Sequence, residues 1–219
     1  MQSPETGERL AMPTILLWPI TIILSTAVQA APQLDSATET TAFAGWLAGQ
    51  DAVALTRYQR FIDARVPRPP SLLDLTINRH PVKPGCPRPM FAVPPRAQWP
   101  RLVPALRLVE RLWREGVISD YHFTSLYHSA AENGCVGGAS GSKHLQNAAV
   151  DFDVVETAVA ARAAMALRLC RFWTRNGSAL RFGFGAYGDG RFHADVEGYR
   201  AWGPDFKRAT SPCLPVRLR

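Results

Sequence analysis

The order of hydrophobic periodicities predicts an α+β fold. Stretches with apolar residues at helical spacing are interspersed with short apolar runs of strand length, and small glycine- or proline-bearing turns separate them. The composition agrees: 219 residues, 47% hydrophobic and 20% charged, form an ordinary globular balance. That balance excludes a disordered chain, a collagen-like repeat and a polytopic membrane protein. No internal repeat or low-complexity tract is present.

At the N-terminus, an apolar stretch over residues 15–24 follows Arg9 and leads into the small residues of 25–32. This is the layout of a secretory signal peptide. Val28 and Ala30 satisfy the small-residue rule, which places the cut after Ala30. The apolar core is shorter than the ~20 residues a spanning helix needs, and Pro19 interrupts it. An uncleaved anchor or a buried helix is the alternative, since Glu5 and Glu8 outweigh Arg9 and Met12 is a second candidate start. Residues 31–90 read as a helical and proline-rich N-terminal region. Phe43, Trp46, Leu47, Val53, Leu55, Tyr58, Phe61 and Ile62 predict two helices within 43–65. Pro67, Pro69 and Pro70 stop the second, and 66–100 reads as an extended connection.

From residue 91 onward lies the domain that carries the chemistry. Trp99-Pro100 opens an amphipathic helix whose apolar face is Leu102, Val103, Leu106, Leu108, Val109 and Leu112, and Gly116 ends it. Residues 117–121 predict a short strand, 133–142 a glycine-rich loop, and 148–155 a buried strand with acids embedded in it. A helix over 158–176 is expected to be capped at Asn176-Gly177. Strands over 180–187 and 191–196 complete the order.

Cys86, Cys135, Cys170 and Cys213 form an even set, which in an exported chain suggests disulfides in one of three pairings. None has CxxC spacing, and Cys170, in an apolar helical run, could equally be a buried thiol. The net charge of +7 comes almost wholly from arginine, Lys83, Lys143 and Lys207 being the only lysines. Loss of residues 1–30 would raise it to +8. Such a surface suits nucleic acid, anionic membrane or acidic wall polymer. The arginines are scattered without an interleaved aromatic platform, which argues against nucleic acid.

The most informative segment is Ser142-Lys143-His144-Leu145-Gln146-Asn147-Ala148-Ala149-Val150-Asp151-Phe152-Asp153. An acid inside an apolar strand needs a cation or a partner. Alternation puts Asp151 and Asp153 on one face with Phe152 opposite. The segment Arg191-Phe192-His193-Ala194-Asp195-Val196 repeats the arrangement, with His193 and Asp195 on one face. His144, Asp151 and His193 together make two imidazoles and a carboxylate, the open ligand set of a catalytic zinc ion. The bland alternative is a pair of satisfied core histidines and an acid paired with arginine. Asp153 reads as an outer support or an arginine partner, and His80 and His128 as surface or structural residues.

The stretch from Gly137 to Asp151 resembles the Ser-x-His-x-x-Gly-x-Ala-x-Asp pattern of the zinc D-Ala-D-Ala carboxypeptidases and murein endopeptidases, whose superfamily includes the hedgehog fold. Phe192-His193-Ala194-Asp195 resembles that family's later His-x-Asp strand. Gly183-Phe184-Gly185-Ala186-Tyr187, the ending at Arg200-Ala201-Trp202 and the Asn133-Gly134-Cys135 loop extend the similarity over about residues 91–204. The resemblance implies a small, mostly antiparallel sheet with flanking helices. It also implies one zinc ion on His144, Asp151 and His193, in a peptidase domain spanning 91–219. The implied activity is that of a metallopeptidase cutting peptidoglycan stem peptides or cross-links. The implied location is the periplasm or cell envelope of a bacterium, as a monomer with no stable membrane insertion after cleavage. A non-catalytic, zinc-containing peptidoglycan-binding module is the alternative.

Three positions depart from the pattern. Asn147 replaces the usual glycine, and asparagine tolerates the left-handed turn better than most residues. His122 follows Tyr121 where the family has the arginine that holds substrate or steadies the oxyanion. Gly190 stands where many relatives carry the general base, so Asp189 or Asp195 becomes the candidate base, Asp195 alternatively orienting a ligand from behind. Ser142, His122 and Arg200 are the candidate substrate contacts, with Arg200 and Trp202 alternatively packing beneath the sheet.

Overall fold

A computed structural model describes residues 36–87, 90–155, 158–187 and 190–214. The predicted leader over 1–30 therefore lies outside the described residues. Helix α1 (Ser36–Leu47) and helix α2 (Ala52–Asp63) are the two expected N-terminal helices, the first beginning earlier than the apolar spacing alone indicates. Asp51 caps α2 by accepting from the amides of Val53 and Ala54. The helix buries Leu55, Tyr58 and Ile62, one stripe at spacings of three and four.

The region expected to be extended contains more structure than its prolines suggest. A one-turn helix α3 (Leu72–Thr76), capped by Ser71, runs directly into strand β1 (Ile77–Asn78), which pairs with β2 (Met90–Phe91). Helix α4 (Trp99–Arg114) follows, with the predicted apolar face buried. Val117 and Ile118 do not form a strand. Their amides donate back to the Leu112 carbonyl and close the end of α4, so strand β3 covers Tyr121–Ser125 instead. Helix α5 (Ala130–Cys135) takes in the start of the expected glycine loop. Ser129 and Glu132 form a reciprocal capping box that holds this turn. Strand β4 (Ala149–Val154) and helix α6 (Val159–Leu180) come next. Gly177 does not end α6. It lies inside the helix, where a Cβ would sit 2.7 Å from the Tyr199 ring, and Arg181 at φ 52° makes the actual cap.

Strands β5 (Gly183–Ala186), β6 (Phe192–Asp195) and β7 (Arg200–Trp202) complete a seven-stranded sheet in the order β2-β1-β3-β4-β6-β5-β7. All pairs are antiparallel except β5 with β7. One face supplies Phe123, Phe152, Phe184 and Phe192 to a core shared with α2, α4 and α6. The opposite face carries the polar residues, and the register lines them up. Ser125, Asp151, His193, Gly185 and Trp202 form one cross-strand row, and Ala149, Asp195, Gly183 and Arg200 the next. The cysteines pair as Cys86–Cys135 and Cys170–Cys213, so Cys170 is not a free thiol. Among the described residues, no helix is long and apolar enough to cross a membrane.

Candidate metal centre

His144 sits on the 3-10 turn Lys143–Gln146, between the glycine loop and β4. Asn147 closes that turn at φ 50°, ψ 43°, the left-handed conformation that its side chain was expected to tolerate. The amide of Ala148 then donates to the Lys143 carbonyl and starts the strand. The Nδ1–H of His144 donates to the Leu126 carbonyl at 2.6 Å, and the His144 carbonyl accepts from the His128 amide. The proton is thereby placed on Nδ1, and Nε2 is left as a bare lone pair pointing inward.

His193 has the mirror arrangement. Its Nε2 lies 2.8 Å from Asp195 Oδ2, so the neutral ring keeps its proton there and turns a bare Nδ1 to Asp151. Asp195 is itself held. Arg200 grips both carboxylate oxygens, at 3.1 and 2.6 Å, and the Glu197 amide donates to Oδ1. Two glycines make room for this. A Cβ on Gly183 would come 2.5 Å from Asp195 Oδ2, and one on Gly185 would strike the Trp202 indole that packs against His193. The Gly-x-Gly spacing of β5 is thus the imprint of the two side chains that flank His193.

Asp151 faces His193 across the β4–β6 ladder. Its Oδ1 lies 2.8 Å from His193 Nδ1 and 3.2 Å from His144 Nε2, and the two nitrogens are 3.1 Å apart. All three residues are buried, and their donor atoms lie within 4.8 Å of one another. With both rings neutral, two imidazole nitrogens and a carboxylate oxygen converge on one point and repel unless a cation or a proton lies among them, so the donor set fits a divalent metal. The same electrostatics act on protons in the metal-free site. Burial alone would raise Asp151, but His144 and His193 hold it well below the ordinary carboxylate range. Burial alone would lower His193, but Asp151 and Asp195 push it up to about 9.

Residues 75–179 match the family model of peptidase M15. Over that span the chain is similar to the peptidase M15 family. No curated protein and no solved structure matches the chain. The matched span includes His144 and Asp151 and ends before His193, so the third donor stands on the geometry of β6.

The other candidate residues take diverse positions. Arg200 is committed to Asp195. Asp195 is fully enclosed, with both oxygens engaged. Ser142 stands at the start of the turn bearing His144 and makes no capping bond through its side chain. His122 pairs with Asp153 in the β3–β4 ladder, its side chain 72% exposed and its Nδ1 3.8 Å from Asp153. Asp189 lies outside the described residues.

Two histidines without a motif also reach the site. His128 stacks on His144, ring centroids 4.6 Å apart, and bonds Ser125 Oγ. Burial, with His144 and His80 nearby, lowers its pKa to about 2, so it stacks as a neutral ring. His80 Nε2 lies 2.7 Å from Asp151 Oδ2. Neither has a sequence signal beyond an isolated imidazole. Their partners are 71 and 16 residues away in the chain, and only the folded sheet brings them together.

Proposed function

We propose that the chain is an exported zinc metallopeptidase hydrolysing peptide bonds in peptidoglycan stem peptides or cross-links, of the D-Ala-D-Ala carboxypeptidase or endopeptidase type. The observation that carries this reading is the convergence of His144 Nε2, Asp151 Oδ1 and His193 Nδ1 in a chain similar to the peptidase M15 family. Zinc held by these three residues supplies Lewis-acid activation of the scissile carbonyl and of water. The protein's part is to fix the ligands. Leu126 sets the tautomer of His144, and Arg200 through Asp195 sets that of His193.

Because Asp195 has no open oxygen, it reads as an orienting group, and Asp189 is the proposed proton acceptor. His122 and Ser142 are the proposed substrate contacts, His122 lying on the site face of β3 at the open end of the polar rows. Two disulfides fit an extracytoplasmic, oxidising location, and the arginine-rich surface fits an acidic wall polymer.

Mass spectrometry of purified muropeptides, incubated with the protein as zinc-loaded, chelated and reloaded samples, tests the proposal. Loss of a terminal D-alanine marks a carboxypeptidase, and opening of dimers marks an endopeptidase. Stoichiometric zinc with no new product at any pH overturns the enzyme and leaves a binding module.

A further inference from the structure

Asp151 presents one oxygen to the ligand cluster. The other, Oδ2, lies 2.7 Å from His80 Nε2. The second ring nitrogen of His80, Nδ1, faces Arg191 Nη1. A guanidinium carries only N–H donors, so His80 Nδ1 has to accept. An imidazolium would set its own Nδ1–H against that donor, so the ring is neutral and its single proton is on Nε2. His80 therefore donates to Asp151 Oδ2.

We infer that His80 is a positioning residue of the metal centre, its tautomer set by Arg191, and that the chain Arg191 to His80 to Asp151 keeps Oδ1 as the oxygen offered to the metal. This rests on the reading of His144, Asp151 and His193 as ligands. A carboxylate with two open oxygens can pivot or offer both. A hydrogen bond on Oδ2 removes that freedom and leaves a defined monodentate donor.

The fold supports His80 accordingly. Its amide donates to Asn78 Oδ1 at 2.9 Å, so the chain turns as it leaves β1. The neighbouring Arg79 is clamped by Glu39, Asp74 and the Phe123 carbonyl. Beyond His80, the Lys83 amide donates to the Cys135 carbonyl, and Cys86–Cys135 ties the segment to α5. The His80 ring meets the His128 and Tyr187 rings edge-on.

The test uses the full chain as wild type, His80→Ala, His80→Gln, Arg191→Met and His144→Ala. Zinc affinity is read by chelator competition, ligand geometry by the visible spectrum of the cobalt-substituted protein, and the His80 tautomer by imidazole 15N NMR. His80→Ala is expected to weaken zinc binding about 10- to 100-fold and to shift the cobalt spectrum. His80→Gln, which keeps a donor, restores most of both. In the wild type, His80 should show protonated Nε2 and bare Nδ1, and Arg191→Met should mix the two tautomers while weakening zinc less.

Wild-type affinity and spectrum in His80→Ala, with zinc lost from His144→Ala, overturn the role of His80 and leave the triad standing. Zinc retained by His144→Ala overturns the triad and the inference with it. Should His80→Ala fail to fold, Arg191→Met decides: wild-type affinity with an unchanged tautomer overturns the inference.

Discussion

The two oxygens of Asp151 are served by different kinds of structure. On the Oδ1 side, His193 is held by ladder register at the centre of the sheet, with paired strands on both sides of β6. On the Oδ2 side, His80 lies just past a two-residue strand near the sheet edge. There the backbone ladder has ended, and side-chain clamps and a disulfide take its place. The contrast teaches that a ligand set can be rigid for two reasons. A central ladder fixes direction through many shared backbone bonds, whereas the edge segment depends on a few separable contacts. The two sides should therefore fail differently when perturbed.

The largest effect belongs to the Oδ1 side. His144→Ala removes one of three donors and leaves His193 and Asp151 without a complete set. Zinc should be lost from the purified protein by elemental analysis, and muropeptide cleavage should fall to background. Retained stoichiometric zinc would show that the ligands lie elsewhere.

Removing the Cys86–Cys135 disulfide with paired serines acts on the Oδ2 side. The bridge closes a span of 49 residues, and the chain-entropy contribution of such a loop is about 4 kcal/mol. Denaturant unfolding should lose a large part of that. Zinc affinity should weaken while the spectrum of the cobalt-substituted protein keeps its His193 contribution. Removing Cys170–Cys213 should lower stability comparably, its span being 43 residues, without touching zinc affinity. Equal zinc loss in both variants would mean that the bridge near His80 has no special connection to the site.

Gly183→Ala perturbs the centre without removing any functional group. The new Cβ would sit 2.5 Å from Asp195 Oδ2, against a carboxylate already gripped by Arg200. Overpacking of this kind costs about 1–3 kcal/mol. Here it should also free the His193 ring, so zinc affinity and melting temperature should drop together. A stability loss with wild-type zinc affinity would show that His193 does not need Asp195 to hold its orientation.

The centre was the readable half of this site. Asp151, His193 and Asp195 interrupt apolar strands, where alternation alone puts His193 and Asp195 on one face, and His144 stands on the turn that leads into the first of them. The registers that juxtapose the segments follow from β4 and β6 pairing along their buried faces. The glycines of β5 were visible as a pattern, but their reason, the bulk of Asp195 and Trp202, is a matter of three dimensions. His80 was not readable at all. It lies in a proline-rich stretch that reads as a connection, and its partner is supplied by a fold-level encounter between β1 and β4 through β3. The misplaced strand at 117–121 has the same origin. Val117 and Ile118 have strand-forming side chains, but the end of α4 takes their amides first. Gly177 looked like a helix stop because the sequence does not reveal that Tyr199 needs its missing Cβ.

A gentler perturbation is pH, and it separates the metal-free from the loaded centre. In the metal-free protein, His193 is raised to about 9 by Asp151 and Asp195 against the opposing effect of burial. A group whose folded pKa is raised stabilises fully below its unfolded value of about 6.5, and that stabilisation is lost as pH climbs through the folded value. Asp151, held low, contributes in the opposite sense: its share is present above about pH 4 and is lost on acidification. The chelated protein should therefore be most stable between these limits and lose a few degrees of melting temperature from pH 6.5 to 9. Zinc takes the place of the His193 proton, so its binding releases that proton and its apparent affinity rises over the same window. The loaded protein should show little decline there, and the gap between the two melting curves should widen with pH. Curves that run parallel from pH 6.5 to 9 would mean that His193 does not hold a proton in the empty site. The mutual placement of His193 and Asp151 across the ladder would then be insufficient to act as a proton trap that zinc has to displace.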